Sequence, residues 1–221
     1  MDFAALLDPA SAAIVVGGTL VATLLGSGRG ELAASLGAAA QLFQRPFDYE
    51  QARAEIARDV EAMRTDGVVR ARSVHSTDRE ILSATDALIH DRSLTSLIAT
   101  HEKFRDDRVA RRTMALRPVM LAAEMGPVFG MVGTLVSLSQ MAQTAPAAGS
   151  MIGGIAMAVL TTLYGLVLAH LACNPLARLI ARRGTHEEAQ RQLLIDWLAR
   201  QLATACPPGA PSAAPRLGRV A

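Results

Sequence analysis

Between Met125 and Ala177 the sequence contains no Asp, Glu, Lys or Arg. A helix buried in a water-soluble protein rarely needs more than about 14 such residues, whereas one bilayer crossing takes about 20. The stretch therefore excludes an ordinary soluble helix and reads as two spans joined by a turn. Charge is also missing from Pro9 to Gly28, PASAAIVVGGTLVATLLGSG, which is just long enough for a third span. No Lys or Arg precedes Arg29; the chain opens instead with Asp2 and Asp8, which argues against a cleaved signal peptide, whose start is positively charged. The chain has only two cysteines, Cys173 and Cys206, and neither metal-ligand spacing nor a nucleotide-binding glycine loop. Its net charge of +2 comes from basic residues intermixed with almost as many acids, which excludes a concentrated nucleic-acid patch. Neither an enzyme, a cofactor nor a nucleic-acid partner is indicated.

What the chain does carry marks the ends of the spans. In TAPAAGSMIGG, Thr144 to Gly154, Pro146 and three glycines interrupt the apolar pattern, so the spans fall at residues 119–143 and 153–174. All 22 basic residues lie in two blocks, Arg29 to Arg117 and Arg178 to Arg219. Cytoplasmic loops next to spans accumulate Lys and Arg, which predicts an N-terminus outside and a C-terminus inside. The fold class expected is an all-α membrane protein with three transmembrane helices and a helical cytoplasmic domain. Its parts are a first transmembrane helix (1–28), a cytoplasmic helical domain (29–117), a transmembrane hairpin lining a channel (118–177), a cytoplasmic amphipathic helix (178–206) and a disordered tail (207–221). On this topology both cysteines face the reducing side and are free thiols.

Within the cytoplasmic parts, GELAASLGAAAQLF continues the first span as an Ala-rich helix until Pro46. DYEQARAEIARDVEAMRTDG, Asp48 to Gly67, places Ala52, Ile56, Val60 and Met63 at helical spacing and ends on Gly67 as a cap. Further short helices fit REILSATDALIHD and SLTSLIATHEKFRDDRVARRTMALRPVM. After the hairpin, THEEAQRQLLIDWLARQLATAC forms another amphipathic helix with Leu193, Leu194, Trp197, Leu198 and Leu202 on one side.

In lipid, helices pack closely through small residues rather than merely apolar ones. Both hairpin helices carry such a stripe: Gly126, Gly130, Gly133 or Thr134 and Ser137 on the first; Gly154, Ala158, Thr161 or Thr162, Gly165, Ala169 and Cys173 on the second. A single hydroxyl in such a helix can bond back to its own carbonyls or join neighbouring helices. Two clusters, Thr134 with Ser137 and Thr161 with Thr162, point instead to a polar lining, because hydroxyls replace part of an ion's hydration shell without the cost of a buried charge. The hairpin holds no mid-membrane carboxylate; Glu124 sits at the cytoplasmic mouth and His170 near the inner end. A titratable group for conduction would have to come from a partner.

GPVFGMVGTLVSLSQM, Gly126 to Met141, and IGGIAMAVLTTLYGLVLAHLACNPLARLIARR, Ile152 to Arg183, resemble the third and fourth membrane helices of the larger flagellar stator subunits, MotA and PomA. SAAIVVGGTLVATLL, Ser11 to Leu25, is similar to the second. The resemblance implies membership of the wider MotA/TolQ/ExbB group in the bacterial inner membrane. There, five copies surround two copies of a single-span MotB-, ExbD- or TolR-like partner, which supplies the essential Asp. It further implies that Pro127 and Pro175 couple ion passage to movement, as bending points that lack a backbone hydrogen bond. Glu124 would lie at the channel's inner mouth, and Thr134, Thr161 and Thr162 would face the partner. Arg64 matches a rotor-contacting stretch, in which Arg72 stands where an acid is expected; the sign reversal weakens or re-targets that contact. The transported ion would be H+ or Na+, protons being weakly favoured.

Flagellar stators have four spans and this chain three, as in TolQ and ExbB, yet Met157 stands where those two carry a glutamate in the last span. Three readings follow. One is a stator-type subunit turning an ion gradient into force at a flagellum or another envelope machine. Another is a TolQ/ExbB-like energiser of envelope integrity or outer-membrane transport. The third is a non-conducting membrane scaffold.

Overall fold

The computed structural model describes residues 8–44, 46–66, 76, 78–143 and 148–203. Among these the chain is all-helical, without a strand. Three helices are long and apolar enough to cross a membrane: Pro9–Gly26, Leu94–Met141 and Ile152–Leu202. Gly67, Arg72, Cys206, the turn residues 144–147 and the tail 207–221 lie outside the described residues. The chain forms two compact units, one drawn from Met1–Arg45 and Ala110–Gly184, the other from Pro46–Val109 and Thr185–Ala221.

The first unit begins with α1, Pro9–Gly26. The Asp8 carboxylate accepts the Ala10 and Ser11 N–H groups at 3.3 and 3.0 Å, and Pro9 occupies the first helical turn, where its missing N–H is no loss. A π-helical turn, Ala13–Gly17, lies inside α1. The helix does not run on into GELAASLGAAAQLF. Ser27 is extended at φ −114° and ψ 144°, and a separate helix α2, Arg29–Gln41, starts after Gly28. Serine and glycine are weak helix formers, and Glu31 rewards the break: it accepts the Gly28 N–H at 3.1 Å and the Arg117 guanidinium at 3.0 Å. Arg183 donates to the Leu42 and Gln44 carbonyls just past the end of α2.

The short helix expected before the hairpin is instead the beginning of α5, Leu94–Gln143, a single helix of 50 residues that passes through Pro118 and Pro127. Each proline forfeits one backbone bond and crowds the preceding turn, yet the helix continues through both, as membrane helices tolerate when neighbouring helices pack against them. In the same way the last amphipathic helix is not separate. Helix α6, Ala148–Val167, passes through a π-helical segment, Leu168–Cys173, into α7, Asn174–Leu202.

The second unit is held by apolar residues from four helices. Ala52, Ile56, Val60 and Met63 come from α3 (Tyr49–Asp66), Ile81, Ala84 and Leu88 from α4 (Arg79–Asp91), Leu97 from α5, and Leu194, Ile195, Leu198 and Leu202 from α7. Leu193, expected in the α7 stripe, is 48% exposed, and Ile195 takes its place. Trp197 is only partly buried against the core, with Arg53 over its ring at 5.3 Å. Because Leu198 is fully buried, Leu198→Ala is expected to destabilise this unit by about 2–5 kcal/mol, whereas Leu193→Ala changes stability by less than about 0.5 kcal/mol. Thermal melts of the two variants check the contrast.

Candidate ion pathway

The two small-residue stripes face each other. A Cβ added to Gly165 would lie 2.5 Å from the Gly126 carbonyl oxygen, and one added to Gly126 would lie 2.9 Å from that of Gly165. Along the same seam a Cβ at Gly130 would meet the Thr161 carbonyl oxygen at 3.1 Å, and one at Gly133 the Thr161 Cβ at 2.6 Å. The backbones of α5 and α6 thus approach as closely as glycine permits, which is how helices gain dispersion contact where lipid removes the hydrophobic driving force.

Against this seam the four hydroxyls divide into two pairs. Thr161 and Ser137 are 0% and 1% exposed; their hydroxyls donate to the Ala158 and Gly133 carbonyls, both at 2.9 Å. Thr134 and Thr162 are half-buried, on the flank of the seam, and donate to the Met131 and Ala158 carbonyls at 2.6 and 3.2 Å. All four therefore bond back to their own helix. Donation uses the hydroxyl proton and leaves the oxygen lone pairs available, so the two half-buried threonines retain acceptor capacity toward a cation or a partner's donor.

The remaining sequence-derived residues are spread out. Glu124 is exposed two residues before Gly126, and Pro127 is half-buried inside α5. Pro175 is exposed at the second residue of α7, directly after the π-helical segment, so its missing N–H coincides with a turn already departing from regular α geometry. Arg64 belongs to the other unit, where it is exposed and paired with Glu61 at 2.7 Å. Cys173 is a free thiol. Among the described residues no group of three or more His, Cys, Asp or Glu side chains could hold a metal.

The inner face of α1 escaped sequence reasoning. Ser11, Val15, Thr19 and Thr23 are buried there, the Thr23 hydroxyl donating to the Thr19 carbonyl at 2.7 Å. The Asp8 N–H donates to the Tyr164 hydroxyl oxygen at 3.1 Å. Gly18 sits against the Phe129 ring and Gly26 against Leu121. The four-residue spacing of Ser11, Val15, Thr19 and Thr23 was the available signal.

The profile of a family described as the MotA/TolQ/ExbB proton channel family matches residues 74–193. Among curated proteins, the chain is 26% identical over 194 residues to the chemotaxis protein PomA of Vibrio alginolyticus, covering 86% of this chain and 76% of that one. It is 30% identical over 114 residues to the uncharacterized protein YtxD of Bacillus subtilis, covering 52% of this chain and 38% of that one. Among solved structures, a chain of the flagellar MotAB stator complex from Bacillus subtilis superimposes with a TM-score of 0.81 at 18% identity, over 93% of this chain and 82% of the other. That likeness is one of fold.

Proposed function

This chain belongs to the MotA/TolQ/ExbB proton channel family, and on that premise we propose that it is a stator-type ion-channel subunit of the bacterial inner membrane. It works with a single-span MotB-like partner and couples inward flow of protons or sodium ions to mechanical work, most simply at a flagellar motor. The observation that carries this reading is the close-packed hairpin, which turns threonine oxygens to its flank and holds no Asp or Glu between Met125 and Ala177. Hydroxyl oxygens can share a cation's hydration shell but cannot bind and release a proton at neutral pH, so the charged half of the site belongs to the partner's span. Support also comes from the extent of the PomA similarity, 86% of this chain.

In this reading the N-terminus lies outside and the second unit in the cytoplasm, in keeping with the confinement of basic residues to two blocks. Five copies surround two partner spans. Thr134 and Thr162 line the passage, Thr161 and Ser137 hold its wall, Glu124 gathers cations at the inner mouth, and Pro127 and Pro175 are the points where the helices flex. Arg64 and Arg72 contact the rotor or its equivalent. The family's breadth leaves a second reading, a TolQ/ExbB-like energiser of the envelope, against which Met157 stands in place of the last-span glutamate of those proteins.

The test is ion uptake in cells expressing the chain with its single-span partner. Thr162→Val is expected to lower flux about tenfold or more while the complex still co-purifies, because valine keeps the shape and removes the oxygen. Unchanged flux in an intact Thr162→Val complex would remove the pore assignment. If the partner's outer domain binds an outer-membrane receptor rather than peptidoglycan alone, the second reading replaces the first.

A further inference from the structure

The second unit contains a buried ion-pair cluster that the ion pathway does not use. Glu80, 4% exposed, accepts the Arg191 guanidinium on Oε2 at 2.8 Å, shares that oxygen with Arg108, and meets His101 Nδ1 with Oε1 at 2.6 Å. His101 is 1% exposed, and its other ring nitrogen lies 3.1 Å from Gln192 Oε1. The Gln192 amide is oriented by its own nitrogen, which donates to Asp196 Oδ1 at 2.9 Å; its oxygen is therefore what faces the ring. Both ring nitrogens meet acceptors, and only the imidazolium has two N–H donors to give them.

We propose that His101 is a pH-sensing site of this unit: its imidazolium ties α4, α5 and α7 together, and loss of its proton as internal pH rises loosens them. That the pH sensed is the internal one follows from the proposed topology. Deprotonation at either nitrogen would set a lone pair against the Glu80 carboxylate or against an amide oxygen that Asp196 holds in place. The charged groups around the ring come from three elements. Helix α4 and its cap bring Glu80 and Asp78, the latter paired with Arg191 at 2.7 Å. Helix α5 brings Glu102, Arg105 and Arg108, with Arg108 held by Glu188 at 3.0 Å. Helix α7 brings Glu187, Glu188, Arg191 and Asp196, Glu188 lying 4.0 Å from His101 Nε2. The side chains that α3 contributes to the core, Ala52, Ile56, Val60 and Met63, are apolar. A cavity of about 390 Å3 lined by His101, Gln192 and Asp196, among others, lies beside the ring.

Burial alone pushes the His101 pKa down, but the hydrogen bonds to Glu80 and Gln192 and the Glu80 charge outweigh it, and the net direction is up. A histidine raised on folding contributes stability that is fully present below its ordinary value of about 6.5 and is lost as pH rises through the higher folded value. The loosening therefore belongs to neutral and alkaline conditions.

The experiment is hydrogen exchange of α4 and α7 amides in the full-length protein in lipid nanodiscs from pH 6 to 9, corrected for intrinsic exchange, with the histidine ring carbons followed by NMR. Wild-type protection is expected to fall about tenfold for each unit by which the folded pKa exceeds the unfolded one. His101→Gln should show the alkaline level at every pH, and Gln192→Glu should move the midpoint up by about one unit. Equal pH slopes in wild type and His101→Gln, or a neutral His101 ring at pH 6, would overturn the proposal. The ring shifts of the wild-type protein decide even if His101→Gln does not fold. None of these readings involves ion flux, so the proposal can fail while the channel assignment stands, and the reverse.

Discussion

A Gly165→Ala chain is expected to lose the packed hairpin. Its new methyl would lie 2.5 Å from the Gly126 carbonyl oxygen, 3.1 Å from the Gly126 carbonyl carbon and 3.2 Å from the Gly130 Cα. These are backbone atoms, and unlike the end of a flexible side chain they cannot swing aside. Overpacking of this kind costs about 1–3 kcal/mol, occasionally more, and at a backbone-to-backbone contact the upper figure applies. The melting temperature of the purified protein should drop, and ion flux through the complex should be abolished as the threonine flank shifts. Gly153→Ala is the control: a Cβ there meets nothing within 4 Å, and alanine is the better helix former, so stability should be unchanged or slightly raised. Equal melting of Gly165→Ala and wild type would mean that the two helices do not meet backbone to backbone.

Glu80→Ala is expected to destabilise the second unit by about 3–5 kcal/mol, the range for breaking a buried pair by removing one partner. Arg191 would retain Asp78 at 2.7 Å and Glu187 at 3.2 Å, and Arg108 would retain Glu188 at 3.0 Å. His101 would lose the carboxylate that holds its proton. The effect should therefore be larger at pH 6, where the wild-type ring is charged, than at pH 9, as read by thermal melts at the two pH values. Glu80 also carries a signature in acid. Burial pushes its carboxyl up, but the His101 hydrogen bond and the Arg108 and Arg191 charges outweigh this, and the net shift is down. A carboxyl lowered on folding contributes stability present above its ordinary value of about 4.3 and lost as pH falls through the folded one. Wild type should accordingly lose stability below about pH 4 more steeply than Glu80→Ala.

The membrane spans were legible because no soluble helix needs an uncharged run as long as Met125–Ala177. The α5–α6 seam was legible because small residues at three- and four-residue spacing have a packing consequence in lipid. The apolar face of α3 was read correctly from Ala52, Ile56, Val60 and Met63 for the same geometric reason. The stop between α1 and α2 was missed. Ser27 and Gly28 are weak helix formers, but a helix can carry them, and the break is fixed by Glu31 and Arg117, residues 86 positions apart. The opposite error arose before the hairpin, where SLTSLIATHEKFRDDRVARRTMALRPVM read as a short helix of its own but the helix continues through Pro118 and Pro127 to Gln143. The threonines could be placed on a face but not assigned partners, since a hydroxyl's choice between its own carbonyl and a neighbour depends on how much room the seam leaves. Least legible was the cluster around Glu80. Taken singly its charges point to no partner, yet His101 falls one turn after the buried Leu97, and Arg191 one turn before the buried Leu194. Charged residues on an apolar face were the sign that they are buried together.

The measurement that bears most directly on the central claim is ion uptake by liposomes containing the chain reconstituted with its single-span partner, under an imposed proton or sodium gradient. Flux is expected from the complex, none from either protein alone, and loss of flux when the Asp proposed for the partner's span is replaced by Asn. Flux from this chain alone, or flux from the complex that survives the Asp→Asn change, would contradict a site whose charged half is supplied in trans. A correctly assembled complex that passes neither ion would leave the hairpin as a scaffold.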